Sequence, residues 1–255
     1  MQPLLGPDDP PPFSVHNEKG KAPLLLLCDH ASKAVPKALH NLWLPANELS
    51  RHIGWDIGGL DAAIELSLRL DAPLVASGYS RLVIDCNRWP GGEGSIPEVS
   101  DGIDVPANKG LVQAEIDRRT NACFWPYHQE VDRQLDRMTQ GGRKVCLLVV
   151  HSFTPEMNGF KRPWHVGVLW NDDPRLPHPL LAGLRRDRAL VVGDNEPYSA
   201  RAPYEYTLTA HARPRALPYC SLEIRQDLIG TPNEARAWGG KLAPAVGAAV
   251  AAALE

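Results

Sequence analysis

Apolar residues gather along this chain in short unbroken runs. Those at 23–28 (PLLLLC), 73–77 (PLVAS), 81–86 (RLVIDC), 144–150 (KVCLLVV), 165–170 (HVGVLW), 189–193 (ALVVG) and 219–225 (YCSLEIR) have the length of strands. Several are continuously apolar, as in strands covered on both faces. Between them the period lengthens. Leu60, Ile64 and Leu68 recur every four residues and predict a helix over 57–70 with one apolar stripe. The helical period over 111–138 contains Pro126 and predicts a kinked helix or two helices. A short helix is expected over 177–188. Thr231, Pro232 and Glu234 supply an N-cap, a first-turn proline and a capping-box acid for a last helix running to Glu255. Strands alternating with helices predict one α/β domain over 13–255, with a mostly parallel sheet flanked by helices. Residues 1–12 are rich in Pro and Asp and read as a flexible or surface-lying arm.

Composition narrows the class. A formal net charge of −3 over 255 residues provides no basic field for nucleic acid. The first residues lack a basic segment followed by an apolar core, and no run approaches the ~18 apolar residues of a membrane span. Five cysteines, Cys28, Cys86, Cys123, Cys146 and Cys220, are scattered, odd in number and without a C-x-x-C pair. Buried free thiols in a reducing compartment follow, so cytoplasm without membrane is the expected setting. Oligomeric state is not legible.

In open α/β sheets ligands gather beyond the carboxyl ends of strands, and the polar residues there carry the chemistry. His30 follows the first leucine run and His151 follows KVCLLVV in the same way. Two imidazoles so delivered can meet above one sheet edge as metal ligands, or each can satisfy a loop carbonyl. Asp56, in HIGWDIGGLD, is either the cap of the next helix or a carboxylate ligand. In SRLVIDCNRWP, Arg81, Val83, Asp85 and Asn87 share one face if the run is a strand. Asp85 is placed to orient an arginine, and Arg88 offers a fork for a substrate carboxylate. In YCSLEIRQDLI, Cys220, Leu222 and Ile224 point one way, and Tyr219, Ser221, Glu223 and Arg225 the other. Glu223 is then either a general base in a cleft or half of a surface pair with Arg225. Asn195, Glu196, Tyr198 and His211 are either loop contacts to a substrate or simply turn residues. Ser32 and Cys28 lie close to His30, yet no G-x-S-x-G elbow or phosphate loop accompanies them. The glycines, prolines and length of 91–110 suggest a functional loop.

DHAS…VP, GWDIGG, SRLVIDCNR, VVHSF and LEIRQDLI, spread over residues 23 to 230, together resemble the N-formylglutamate amidohydrolase (deformylase) family. That family is similar in fold to zinc carboxypeptidases and aspartoacylases, so the resemblance implies a mixed central sheet and a metal-dependent hydrolase of N-acyl amino acids. It places His30, Asp56 and His151 on Zn2+ ligand positions, another divalent metal being compatible with the donor set. Glu223 falls on the general base, and Asn87 with Arg88 on substrate binding. By their own chemistry, and not by the resemblance, Arg81 is a candidate oxyanion stabiliser because its charge is fixed, and Arg225 and His211 are candidates on the substrate side. Asp29 and Asp85 would orient the ligands from behind. Where the carboxypeptidase pattern has a glutamate ligand three residues after the first His, this chain has Lys33. The implied partner is a small N-acyl amino acid. A peptidase or other amidase on the same site, and a non-catalytic binder of small carboxylates, are the alternatives.

Overall fold

The computed structural model describes residues 3–199 and 205–255. Seven strands form its central sheet: β1 (Phe13–His16), β2 (Leu24–Cys28), β3 (Leu74–Ser77), β4 (Cys146–Phe153), β5 (Val166–Leu169), β6 (Val192–Asp194) and β7 (Tyr219–Arg225). Their order is β1-β3-β2-β4-β7-β5-β6. The central four are mutually parallel, β1 is antiparallel to β3, and β5 is antiparallel to β7. The sheet is therefore mixed and mostly parallel, and the chain is a single α/β domain.

Burial on both faces explains the leucine run. Leu24 and Leu26 pack with Leu148, Val150, Leu222 and Ile224 on one side, and Leu25 and Leu27 with Leu147, Val149 and Tyr219 on the other. Each such side chain contributes about 1.5–3 kcal/mol, which only the middle of a covered sheet provides. Helices α1 (Gly59–Leu70), α4 (Pro177–Leu184) and α5 (Pro232–Leu254) cover the first face. Helix α3 (Trp125–Thr139) covers the second, through Tyr127, Val131 and Leu135. It follows α2 (Gln113–Arg119) after a π-helical turn at Thr120–Phe124, and Pro126 sits directly beyond that turn in a helix that runs on without a break. The capping box at Thr231 and Glu234 opens α5. By length and composition alone α5 would be long enough to cross a membrane. In this fold Leu242, Val246 and Val250 are buried in the core beside α1 and α4. All five cysteines are buried and free.

Two expectations are corrected. The run 81–86 is not a strand but a series of turns, with the Val83 amide bonded to the Ser80 carbonyl and the Arg88 amide to Asp85. Its apolar residues Leu82, Val83 and Ile84 fill a separate core with Leu42, Tyr79 and Phe124, so hydrophobicity here marks a buried loop. The inward face of α1 is Ala62, Ala63 and Leu66, whereas Leu68 is 65% exposed. Small residues win that face because α5 packs closely on it. Strand β1 carried no recognisable run, its partly buried Phe13 and Val15 being those of an edge strand. Residues 3–12 lie against the body, with Leu4 buried and the Tyr79 hydroxyl donating to the Pro10 carbonyl.

Candidate active site

At the carboxyl edge of the parallel strands, each polar residue arrives by a different route. Beyond Cys28 the chain leaves β2 through Asp29 and His30. His151 lies within β4 itself, opposite Glu223 of β7. Asp56 precedes α1, and its amide donates to the His30 carbonyl at 2.9 Å, tying the two segments together. Helix α1 begins after Gly58, without a side-chain cap, so the Asp56 carboxylate is not spent on the helix. Gly58 has φ +74°, and a Cβ there would strike the Ile229 carbonyl. Gly58→Ala is therefore expected to destabilise the fold by about 1–3 kcal/mol, read as a lower urea midpoint; an unchanged midpoint would contradict this packing.

The donor atoms converge. Nδ1 of His151 lies 2.9 Å and Nδ1 of His30 3.4 Å from Oδ2 of Asp56, and the Ser152 amide donates to the same oxygen at 3.2 Å. One ligand atom from each of the three buried residues falls within 4.8 Å of the others. Both outer nitrogens face carboxylates. His30 Nε2 lies 2.7 Å from Asp85 Oδ1, and His151 Nε2 lies 3.7 Å from Asp29 Oδ2. These are anchored in turn: Asp29 Oδ1 accepts from the Tyr127 hydroxyl at 2.6 Å, and Asp85 Oδ2 accepts from Arg81 at 2.7 and 3.1 Å.

Two imidazoles turned inward through Nδ1, held from behind by carboxylates and joined by a third carboxylate, suit a divalent cation. The buried polar atoms agree. His151 Nε2 and Asp29 Oδ2 have no hydrogen-bond partner among the described residues, and ligation through Nδ1 puts the His151 proton on Nε2, facing Asp29.

Burial opposes charge at every one of these groups, and pairing decides the outcome. Both imidazoles overcome burial at Asp56 and hold it far below the usual carboxylate range. Burial lowers His151, but the hydrogen bond and charge of Asp56, with Glu223 and Asp29 beyond, raise it to about 10. His30 is raised as well, since Asp85 and Asp56 outweigh burial and Arg81. Glu223 goes the other way for a carboxylate. Burial dominates, Asp56 and Glu205 add to it against His151, and the group is pushed up to about 7. Its Oε2 is buried without a partner among the described residues. A carboxylate so poised can exchange a proton near neutrality.

These groups wall a cavity of ≈ 580 Å³, together with Arg81, Asn87, Arg88, Tyr198 and Glu205, a size suited to a small ligand. Asn87 Oδ1 accepts from the Thr207 amide at 3.1 Å, which leaves its amide nitrogen to serve the cavity. His211 and Arg225 are not brought there. His211 pairs with His128 and Asp132 behind the wall. Arg225 is held outside by Asp227 at 2.7 Å and by the carbonyls of 162–164. Of the other nucleophile candidates, Ser32 accepts from the Ala34 amide in a local turn. Cys28 is fully buried in β2, and burial pushes its thiol well up. Lys33 turns away to the Ser50 hydroxyl. Sequence reasoning missed Glu205, which no pattern in its neighbourhood distinguishes, and Tyr127, 98 residues from Asp29.

The cavity thus opens at the carboxyl edge of the parallel strands of a mixed α/β sheet, where such folds bind ligands. The chain belongs to the N-formylglutamate amidohydrolase family, whose model matches residues 22–230. The structure of gene product Atu2144 from Agrobacterium tumefaciens is similar at 36% identity and a TM-score of 0.94, over 99% of this chain and 100% of that one. The N-formylglutamate amidohydrolase from Ralstonia eutropha JMP134 shares the fold, with a TM-score of 0.69 at 19% identity over 92% of this chain and 96% of that one. No curated protein matches the chain by sequence.

Proposed function

We propose that this chain hydrolyses the amide bond of an N-acyl amino acid of the N-formylglutamate type, using a divalent metal, zinc by its donor set, held by His30, Asp56 and His151. One observation carries the reading: three buried donor atoms within 4.8 Å of one another, with Glu223 in register beside one of them. A zinc ion held by these three residues would supply Lewis acidity to the acyl oxygen and to water. Glu223 accepts the proton of the attacking water and delivers it to the amine nitrogen as the C–N bond breaks. Arg81, part-exposed beside Asp56 with an Nη at 3.7 Å from its Oδ1, stabilises negative charge on the acyl oxygen. The Asn87 amide and Arg88 hold the substrate carboxylate. The test is metal content of the purified protein, followed by a panel of formyl-, acetyl- and succinyl-amino acids. One zinc per chain with release of acid is expected; metal-free protein without product would refute it.

The same cluster predicts how stability varies with pH. His151, raised from 6.5 to about 10 in the fold, stabilises the metal-stripped protein fully below pH 6.5 and loses that contribution as pH rises toward 10. Zinc needs the deprotonated imidazoles, so its stabilisation grows over the same interval. The gap in melting temperature between zinc-loaded and stripped protein is expected to widen from pH 6.5 to pH 9. A constant gap would contradict the assignment.

A further inference from the structure

Behind the cavity wall, three side chains form a line of hydrogen bonds that the proposed reaction leaves unused. His128, on α3, has Nε2 at 2.9 Å from the Cys86 carbonyl oxygen. Its Nδ1 lies 2.8 Å from Nε2 of His211. Nδ1 of His211 lies 2.8 Å from Oδ1 of Asp132, one turn along α3. Both imidazoles are shut from solvent, at 1% and 2% exposure, and their rings lie end to end, 22° from coplanar with centroids 5.1 Å apart.

Counting donors places the protons. A carbonyl only accepts, so His128 Nε2 carries a hydrogen. Neutral imidazole has a single N–H, which makes His128 Nδ1 an acceptor for the N–H at His211 Nε2. An ionised Asp132 also only accepts, so His211 Nδ1 donates as well. His211 thus bears two protons and Asp132 the balancing charge. His128 suits its neutral part, since burial and the charge of His211 push it down to about 3. Arg215, 3.0 Å from Asp132, helps keep that carboxylate ionised.

The far end of this line is what gives it meaning. Cys86 sits between Asp85 and Asn87, in a segment without regular structure. Asn87 is clamped by two further bonds, from the Tyr206 amide to its carbonyl at 3.2 Å and from the Thr207 amide to its side-chain oxygen at 3.1 Å. Residues 206 and 207 lead directly into the turn that carries His211. The hydrogen-bonded line therefore joins α3, the 85–88 loop and the 206–211 segment at one point.

We propose that Asp132, His211 and His128 are positioning residues, a charged strut that fixes the Cys86 carbonyl and so aims the Asn87 amide at the substrate. The proposal rests on the reading of Asn87 as a substrate donor. Asp132→Asn is the informative variant, because it keeps an acceptor for His211 while removing the charge that supports two protons there, at a position that is part-exposed. His128→Gln keeps a donor for Cys86 and cuts the line to His211.

Imidazole N–H resonances of the zinc-loaded full chain at neutral pH are expected to show two protonated nitrogens on His211 and Nε2–H alone on His128. With N-formylglutamate, Asp132→Asn should raise KM about tenfold, the worth of one charge-assisted hydrogen bond, with zinc content unchanged and kcat within about threefold. A singly protonated His211, or a KM unmoved in both variants, overturns the strut and leaves the metal reading intact. Wild-type protein that binds zinc but releases no acid overturns the proposed reaction instead. Calorimetric affinity for N-formylglutamate then judges the strut, with a loss of about tenfold in Asp132→Asn supporting it and no loss overturning it.

Discussion

Glu223→Gln is expected to lower kcat by about 10³-fold, within the 10²–10⁴ that a positioned general base supplies, while zinc content stays at one per chain. The substitution keeps the size and hydrogen-bonding reach of the side chain and removes only its ability to accept a proton. Glu223 stands beside the ligand His151 without being one of the three converging donors, so the metal has no reason to leave. Stability provides an independent check. The Glu223 carboxyl is raised from 4.5 to about 7 by burial, so in the wild type its ionisation opposes folding progressively above pH 4.5. A neutral amide escapes that penalty. The variant should unfold at the same or a higher temperature than wild type at pH 8. Activity within about threefold of wild type would remove Glu223 from the mechanism.

His151→Ala should have the largest effect on the metal. It deletes one of three ligands and the nearest partner of Asp56, at 2.9 Å, and leaves Asp29 facing an empty pocket. Loss of a group that merely orients a ligand costs 10–100-fold in metal affinity, so loss of a ligand should cost at least about 100-fold. Elemental analysis after gel filtration is expected to find substoichiometric zinc, and turnover should vanish with it. Stability should fall too, because breaking a buried charge pair costs about 3–5 kcal/mol, visible as a lower urea midpoint. Retention of one zinc per chain would show that the cation is held elsewhere.

Much of this architecture is legible because the sheet edge imposes a simple rule. An apolar run that ends in a polar residue, as LLLLC does before Asp29 and His30, places that residue at the rim where ligands bind. The same rule brings His151 and Glu223 together, and strand alternation separates Glu223 from Cys220, Leu222 and Ile224. Asp85, wedged between Ile84 and Cys86, is placed by the sequence to orient an arginine, and it has three partners: His30, Arg81 and the Asn87 backbone N–H. What fails is local hydrophobicity taken as secondary structure. Leu82, Val83 and Ile84 are as apolar as a strand, yet they bury themselves in a loop core far from the sheet's hydrogen bonds. His211 failed for another reason: its surroundings in the sequence contain nothing of His128 or Asp132, about 80 residues earlier on a different element. Arg225 shares a strand face with Glu223, but two residues of rise carry it past the cavity to Asp227. Tyr127 looks in sequence like any core residue of α3, and only the fold shows its hydroxyl on Asp29.

Two histidines 121 residues apart, with one aspartate, are proposed to share a single divalent cation. Anomalous diffraction at the zinc edge from crystals of the zinc-loaded chain tests it most directly. One peak is expected at about 2.0–2.2 Å from His30 Nδ1, His151 Nδ1 and an Asp56 carboxylate oxygen. A peak bound to other side chains, or none between these three, would contradict it.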